Sequence, residues 1–223
     1  MPVELPSDKL SALQWRILRV LSPLEPAWTL SGGGALVGFY LKHRETKDLD
    51  LFWHGKDDLG DLARKARDLL RADGLDISDL QTARSFHQFR VSLGAESSIV
   101  DLVADPSEVL ETPRVFDIGA PIQVDTPHEI LVNKLCALLG RAELRDLVDL
   151  RDLIARGGDL ERALRDAPRK DGGFSPLTLA WVLKETSPAP AARALGWTEA
   201  QVRNLSEFHA RLIEELVTSG MPE

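Results

Sequence analysis

The chain is poor in the residues that build secreted, membrane-embedded or nucleic-acid-coating proteins. A single cysteine, Cys136, among 223 residues excludes an intrachain disulfide. Its place in the apolar helical run "EILVNKLCALL" marks it as a buried structural thiol rather than a nucleophile. No apolar stretch reaches the ~20 residues that span a bilayer. The N-terminal "MPVELPSDKLSALQWRILRVL" lacks the basic start, apolar core and small-residue cleavage site of an export signal. A cytoplasmic location without membrane contact is therefore expected. Basic residues are in deficit, 27 Lys and Arg against 35 Asp and Glu, for a net charge of −8. That balance argues against nonspecific nucleic-acid binding, because phosphate contacts need basic surface. The C-terminal half is nearer neutral and rich in arginine, so a polyanion would be sought there. His43, His54, His87, His128 and His209 lack mutual metal-ligand spacing, which argues against zinc. The five tryptophans are spread across predicted elements and suit a core better than a base-stacking platform.

What remains is ordinary globular composition, 43% hydrophobic and 28% charged, in a chain long enough to bury a sizeable core. Hydrophobic periodicity predicts helices over 8–21, capped by Ser7 or Asp8, and over 57–72, with a glycine-entered helix in "GGALVGFYLKH". "WTLSG", "DLDLFW", "ISDLQTARSF", "HQFRVSLG" and "SSIVDLVAD" read as strands, the last two joined by a turn at Gly94 to Ser97, and "IGAPIQVDTP" adds an extended segment. From a T-x-x-E capping box at Thr126 to Glu129, with proline at the first helical position, the remainder reads as helices near 128–140, 143–156, 159–166, 176–185, 189–195 and 198–218. The expected class is α+β: a small mixed or antiparallel sheet flanked by helices over 1–125, then an all-helical lobe over 126–223 that completes a shared cleft.

The chemistry concentrates in "LSGGGALVGFYLKHRETKDLDLFW". Asp48 and Asp50 alternate on a predicted strand, so both carboxylates project from one face and converge on a cation site. Taken alone, a D-x-D also suits a solvated strand edge, and a glycine triplet a tight turn. Together they make a phosphate site: Gly32, Gly33 and Gly34, with Ser31 before them, let backbone N–H groups and a helix N-terminus approach phosphate oxygens. Magnesium prefers hard oxygen ligands and keeps substrate phosphates in its shell. A third carboxylate should come from a neighbouring strand, and Asp101 in "SSIVDLVAD" supplies it. Two magnesium ions would then share Asp48 and Asp50, with Asp101 on the one that activates an acceptor oxygen, and pyrophosphate would leave. Arg44 and Lys47 flank the aspartates, where they could touch phosphate or neutralise the acidic cluster.

"SGGGAL", "HRETKDLDL" and "IVDLV" resemble the nucleotidyltransferase superfamily with the DNA polymerase beta-like fold. More narrowly, "GGGAL", "RETKDLD", "GAPIQV" and "NKLCALLGRAELRDLVDL" resemble the AbiEii/AbiGii toxin family over about residues 28–156. Gly34 departs from that pattern, which often has a hydroxyl residue there. The resemblance implies that Lys134 reaches the nucleotide phosphates and that Asp146 orients Lys134 or a substrate group. The bland alternative for Arg141, Arg145, Asp146, Asp149 and Asp152 is a salt-bridged helix surface, with Arg145 and Asp149 spaced i,i+4. The resemblance further implies a toxin with a cognate antitoxin, NTP as substrate, and RNA, especially the 3′ end of tRNA, as acceptor. An aminoglycoside-type small-molecule enzyme, a protein nucleotidyltransferase or a catalytically idle nucleotide-binding module are the competing expectations.

Overall fold

A computed structural model describes residues 7–221. The chain divides into two compact units, Met1–Thr126 and Pro127–Glu223.

The first unit is built on a seven-stranded mixed sheet. Its strands are β1 (Thr29–Ser31), β2 (Asp48–His54), β3 (Asp76–Thr82), β4 (Phe86–Leu93), β5 (Glu96–Asp105), β6 (Arg114–Asp117) and β7 (Pro121–Val124), in spatial order β3-β4-β5-β2-β1-β7-β6. The central pair β2 and β5 runs parallel, as do β1 and β7, and the other neighbours are antiparallel. β2 shows the expected alternation: Leu49, Leu51 and Trp53 are buried, whereas Asp48, Asp50, Phe52 and His54 share the half-exposed face. The exposed side of that alternation is where the carboxylates sit.

Helix α1 (Ala12–Leu21) packs toward β5 and toward α3 (Leu62–Ala72). Its cap differs from expectation. Ser11, not Ser7 or Asp8, closes a capping box with Gln14, because Gln14 three residues on can return a bond to the Ser11 N–H. Ser7 instead accepts from the Lys9 N–H and gives its carbonyl to the Trp15 indole. The acidic stretch from 57 to 61 likewise precedes α3 rather than opening it: Asp58 accepts from the Gly60 N–H and pairs with Arg84. Such local carboxylate-to-backbone bonds compete with helix formation. The predicted glycine-entered helix is α2 (Gly32–Ala35), continued by a π-helical turn (Leu36–Tyr40). β6 was absent from the expectation: Arg114–Asp117 carries no apolar alternation of its own, and its antiparallel pairing to β7 supplies the strand.

The second unit contains α4 (Pro127–Arg141), α5 (Leu144–Ala155), α6 (Leu160–Lys170), α7 (Pro176–Lys184), α8 (Pro188–Ala194) and α9 (Glu199–Ser219). α4 is contacted by α5, α6 and α7, and α9 by α5, α7 and α8. Ile130, Leu131, Leu135 and Leu138 of α4 are wholly or almost wholly buried, which makes α4 the hub of this unit. Cys136 is half-buried and donates its thiol weakly to the Ala167 carbonyl, and burial pushes that thiol up to about 11.

Candidate active site

The first unit brings the glycine turn and two of the acidic strands together. β1 ends at Ser31, which lies opposite Asp50 across the β1–β2 pair. Asp50 in turn lies opposite Asp101 across the parallel β2–β5 pair. Asp48 shares the face of Asp50, and Asp101 is half-buried on a strand whose apolar alternate residues, Val100 and Leu102, are fully buried. All three predicted carboxylates thus lie on neighbouring strands.

The glycines are packed into this arrangement. Gly32 has φ +58, and a Cβ there would lie 2.3 Å from Asp50 Oδ2. Backbone conformation and the close carboxylate both demand glycine. A Cβ on Gly33 would meet the Arg44 guanidinium at 2.8 Å and Thr46 Oγ1 at 3.3 Å, so Arg44 lies against the turn. A Cβ on Gly34 would meet Leu49 at 3.2 Å and Leu30 at 3.3 Å. Position 34 thus packs closely on side chains of β1 and β2. Ser31 is buried and occupies the N-cap position of α2, where its side chain makes no capping bond. The Lys47 side chain is exposed, and its carbonyl accepts from the Ser98 hydroxyl and the Ile99 N–H, tying the start of β2 to β5.

Among the described residues no group of three or more His, Cys, Asp or Glu side chains is assembled to hold a metal ion. Gln88 Nε2 donates to Asp101 Oδ1 at 2.9 Å, and Asp50 Oδ2 leans toward Gly32. The donor set still fits a divalent ion of the magnesium type. Its oxygens are hard, they share one face, and magnesium typically takes only one or two protein carboxylates, completing its shell with water and substrate phosphate.

In the helical unit, Lys134 and Asp146 do meet. Lys134 Nζ lies 2.7 Å from Asp146 Oδ1 and 2.8 Å from Asp149 Oδ2, and Arg141 Nε donates to Asp146 Oδ2 at 2.8 Å. Asp146 and Asp149 are fully buried and Lys134 nearly so. Burial alone would raise the Asp146 pKa, but Lys134 and Arg141 outweigh it and hold the carboxyl below its usual range. The helix-surface alternative thus fails for Asp146 and Asp149. Arg145 donates to Glu143 at 2.7 Å, and Arg151 to Asp152. Arg141 as a partner of Asp146 escaped the sequence reading. Its five-residue separation crosses the break between α4 and α5, so no within-helix spacing signals it.

A second constellation also escaped it. His54, at the end of β2, places Nδ1 3.0 Å from Asp105 Oδ2 and Nε2 3.2 Å from Asp125 Oδ1. Burial pulls its pKa down, and the hydrogen bonds and charges of the two carboxylates overcome this and raise it to about 9. The residues are 51 and 71 positions from their partners, so the signal lies in sheet register alone.

A glycine turn entering a short helix, a D-x-D strand beside it and a parallel neighbour carrying a further aspartate match the arrangement expected from the resemblance to the nucleotidyltransferase superfamily. The family model described as "Nucleotidyl transferase AbiEii toxin, Type IV TA system" matches residues 16–216. The chain belongs to that family, and is an NTP-dependent nucleotidyltransferase of a toxin–antitoxin type. Two solved structures share its fold. One, a candidate nucleotidyltransferase from H. pylori, is 20% identical, with 95% of this chain and 98% of that chain covered at TM-score 0.53. The other, JHP933 from Helicobacter pylori, is 20% identical with 91% and 89% covered at TM-score 0.52. No curated protein matches. No described helix is long and apolar enough to cross a membrane.

Proposed function

We propose that this enzyme transfers a nucleoside monophosphate from an NTP to a hydroxyl of RNA, with the 3′ end of tRNA as acceptor, in a magnesium-dependent reaction. The observation that carries the reading is the register Ser31–Asp50–Asp101 across three adjacent strands, with the Gly32 backbone against the Asp50 carboxylate. Backbone N–H groups at Gly32 to Gly34 would receive phosphate oxygens, and Arg44, already against Gly33, would add positive charge there. Asp48, Asp50 and Asp101 would hold magnesium, which supplies Lewis-acid polarisation of the phosphates and charge neutralisation on the departing pyrophosphate. The acceptor oxygen bonds the α-phosphorus as the bond to pyrophosphate breaks, and its proton passes to a carboxylate of this face. A cognate antitoxin is the partner that the family description implies.

The net charge of −8 favours a second reading, a cationic small-molecule acceptor. Incubation with each labelled NTP, magnesium and total RNA, beside Asp48→Ala, separates them. Label in a tRNA-sized band that depends on Asp48 supports the first reading. Magnesium-dependent NTP binding without labelled RNA directs the search to small molecules and protein hydroxyls, and binding with no transfer to any acceptor leaves a nucleotide-binding module.

A further inference from the structure

We propose that His54 is a positioning residue: bridging Asp105 and Asp125, it holds β2 against β5 and against the segment after β7, and thereby keeps Asp50 opposite Asp101. The proposal rests on the reading of Asp48, Asp50 and Asp101 as the reacting carboxylates.

The geometry carries it. β2 and β5 place Asp50 directly opposite Asp101, with Asp48 on the same face two residues away. Like charges opposite one another destabilise a strand pair. Four residues further along the same two strands, His54 lies opposite Asp105 and bonds it through Nδ1. One cross-strand pair therefore repels and the other attracts, so the His54 contact opposes the splaying that the carboxylates favour. The second ring nitrogen reaches Asp125, which is fully buried and has His54 as its ion-pair partner among the described residues. The Asp125 N–H donates to the Leu30 carbonyl of β1, the strand that delivers the glycine turn. A single imidazole therefore ties together both acidic strands and the strand leading into the phosphate turn.

Ser107 donates its N–H and hydroxyl to Asp105 Oδ1, leaving Oδ2 for His54. The Tyr40 hydroxyl donates to the Asp125 carbonyl; burial, partly offset by Arg114, pushes that phenol up to about 12, so it is neutral while His54 titrates. Phe52 lies beside the ring on the same strand and carries no charge. Asp105 and Asp125 are the charges that act on His54.

The test uses the full chain. In a histidine-resolved NMR titration, His54 should titrate near pH 9. Two variants then remove parts of the bridge: Asp105→Asn weakens the β2–β5 contact, and His54→Gln with Asp125→Asn removes the cation together with its buried counter-charge. Each should keep its circular dichroism and accelerate amide exchange across Asp48–His54 and Glu96–Asp105, leaving the helical unit unchanged. Transfer should fall roughly tenfold or more in kcat with the NTP KM little moved, since displacement of reacting groups by about 1 Å costs up to about a hundredfold. The alkaline limb of the wild-type rate near pH 9 should vanish in the double variant. Titration of His54 near 6.5, or folded variants with wild-type exchange, kcat and pH profile, would overturn the proposal. Asp50→Asn is the separate control. If it transfers normally, the carboxylate reading has failed, whereas exchange and titration still judge the bridge.

Discussion

Replacing Lys134 with methionine removes a buried cation from between two buried carboxylates and leaves the side-chain volume nearly unchanged. At contacts of 2.7 and 2.8 Å, an effective dielectric of about 20 gives each pair an attraction of ~6 kcal/mol before desolvation. Most of that repays the cost of burying the charges. The measurable loss from breaking such a cluster is about 3–5 kcal/mol, because uncompensated carboxylates remain in the interior. Arg141 still bonds Asp146, which places the expected value at the lower end, about 3 kcal/mol. Urea unfolding followed by circular dichroism measures it. The triple variant Lys134→Met, Asp146→Asn, Asp149→Asn should recover most of the loss, since no net charge is then stranded. The pH dependence has a definite sign. Asp146 has a depressed folded pKa, so its contribution is present above the unfolded carboxyl range and is lost as pH falls through the folded value. In Lys134→Met that loss should begin at higher pH. A destabilisation below about 1 kcal/mol would mean the cluster behaves as a solvated surface pair and would refute this account.

Asp48→Asn and Asp50→Asn should each abolish transfer while melting within a few degrees of the wild type; normal turnover in both would remove the metal-holding role. Gly32→Ala should destabilise the fold by about 1–3 kcal/mol from the positive φ alone and should also displace Asp50, so a variant with unchanged stability and NTP affinity would contradict the packing described. His54 has a folded pKa raised from 6.5 to about 9, so its stabilisation is complete below about 6.5 and is lost as pH rises through about 9. The full shift corresponds to at most ~3 kcal/mol, reduced by whatever water screens the ring, and unfolding midpoints that do not decline between pH 7 and 10 more than in His54→Gln/Asp125→Asn would count against it.

Local patterns carried much of the architecture. The D-x-D strand, the glycine turn, the β4–β5 hairpin and the helical second half are written in alternation, turn residues and helical period, which act over a few residues. Caps were harder: Ser7, Asp8 and Ser11 all suit a helix start, and the reciprocal bond with Gln14 chose among them. β6 has no periodic signal and exists because β7 offers it a partner. The aspartates of the site were recognisable as types and spacings, but the opposition of Asp50 to Asp101 required the parallel pairing of two strands almost fifty residues apart.

By itself, then, the sequence determined the family, the mixed α and β class, and the residue chemistry of the glycine turn and D-x-D strand, since each depends on neighbours along the chain. Tertiary structure alone decided that Lys134, Asp146 and Asp149 form a buried charge cluster with the exposed Arg141 bonded to its edge, and that His54 joins Asp105 to Asp125. Charges bury only where opposite charges from distant segments meet them, and which segments meet is set by helix packing and strand register rather than by local propensity.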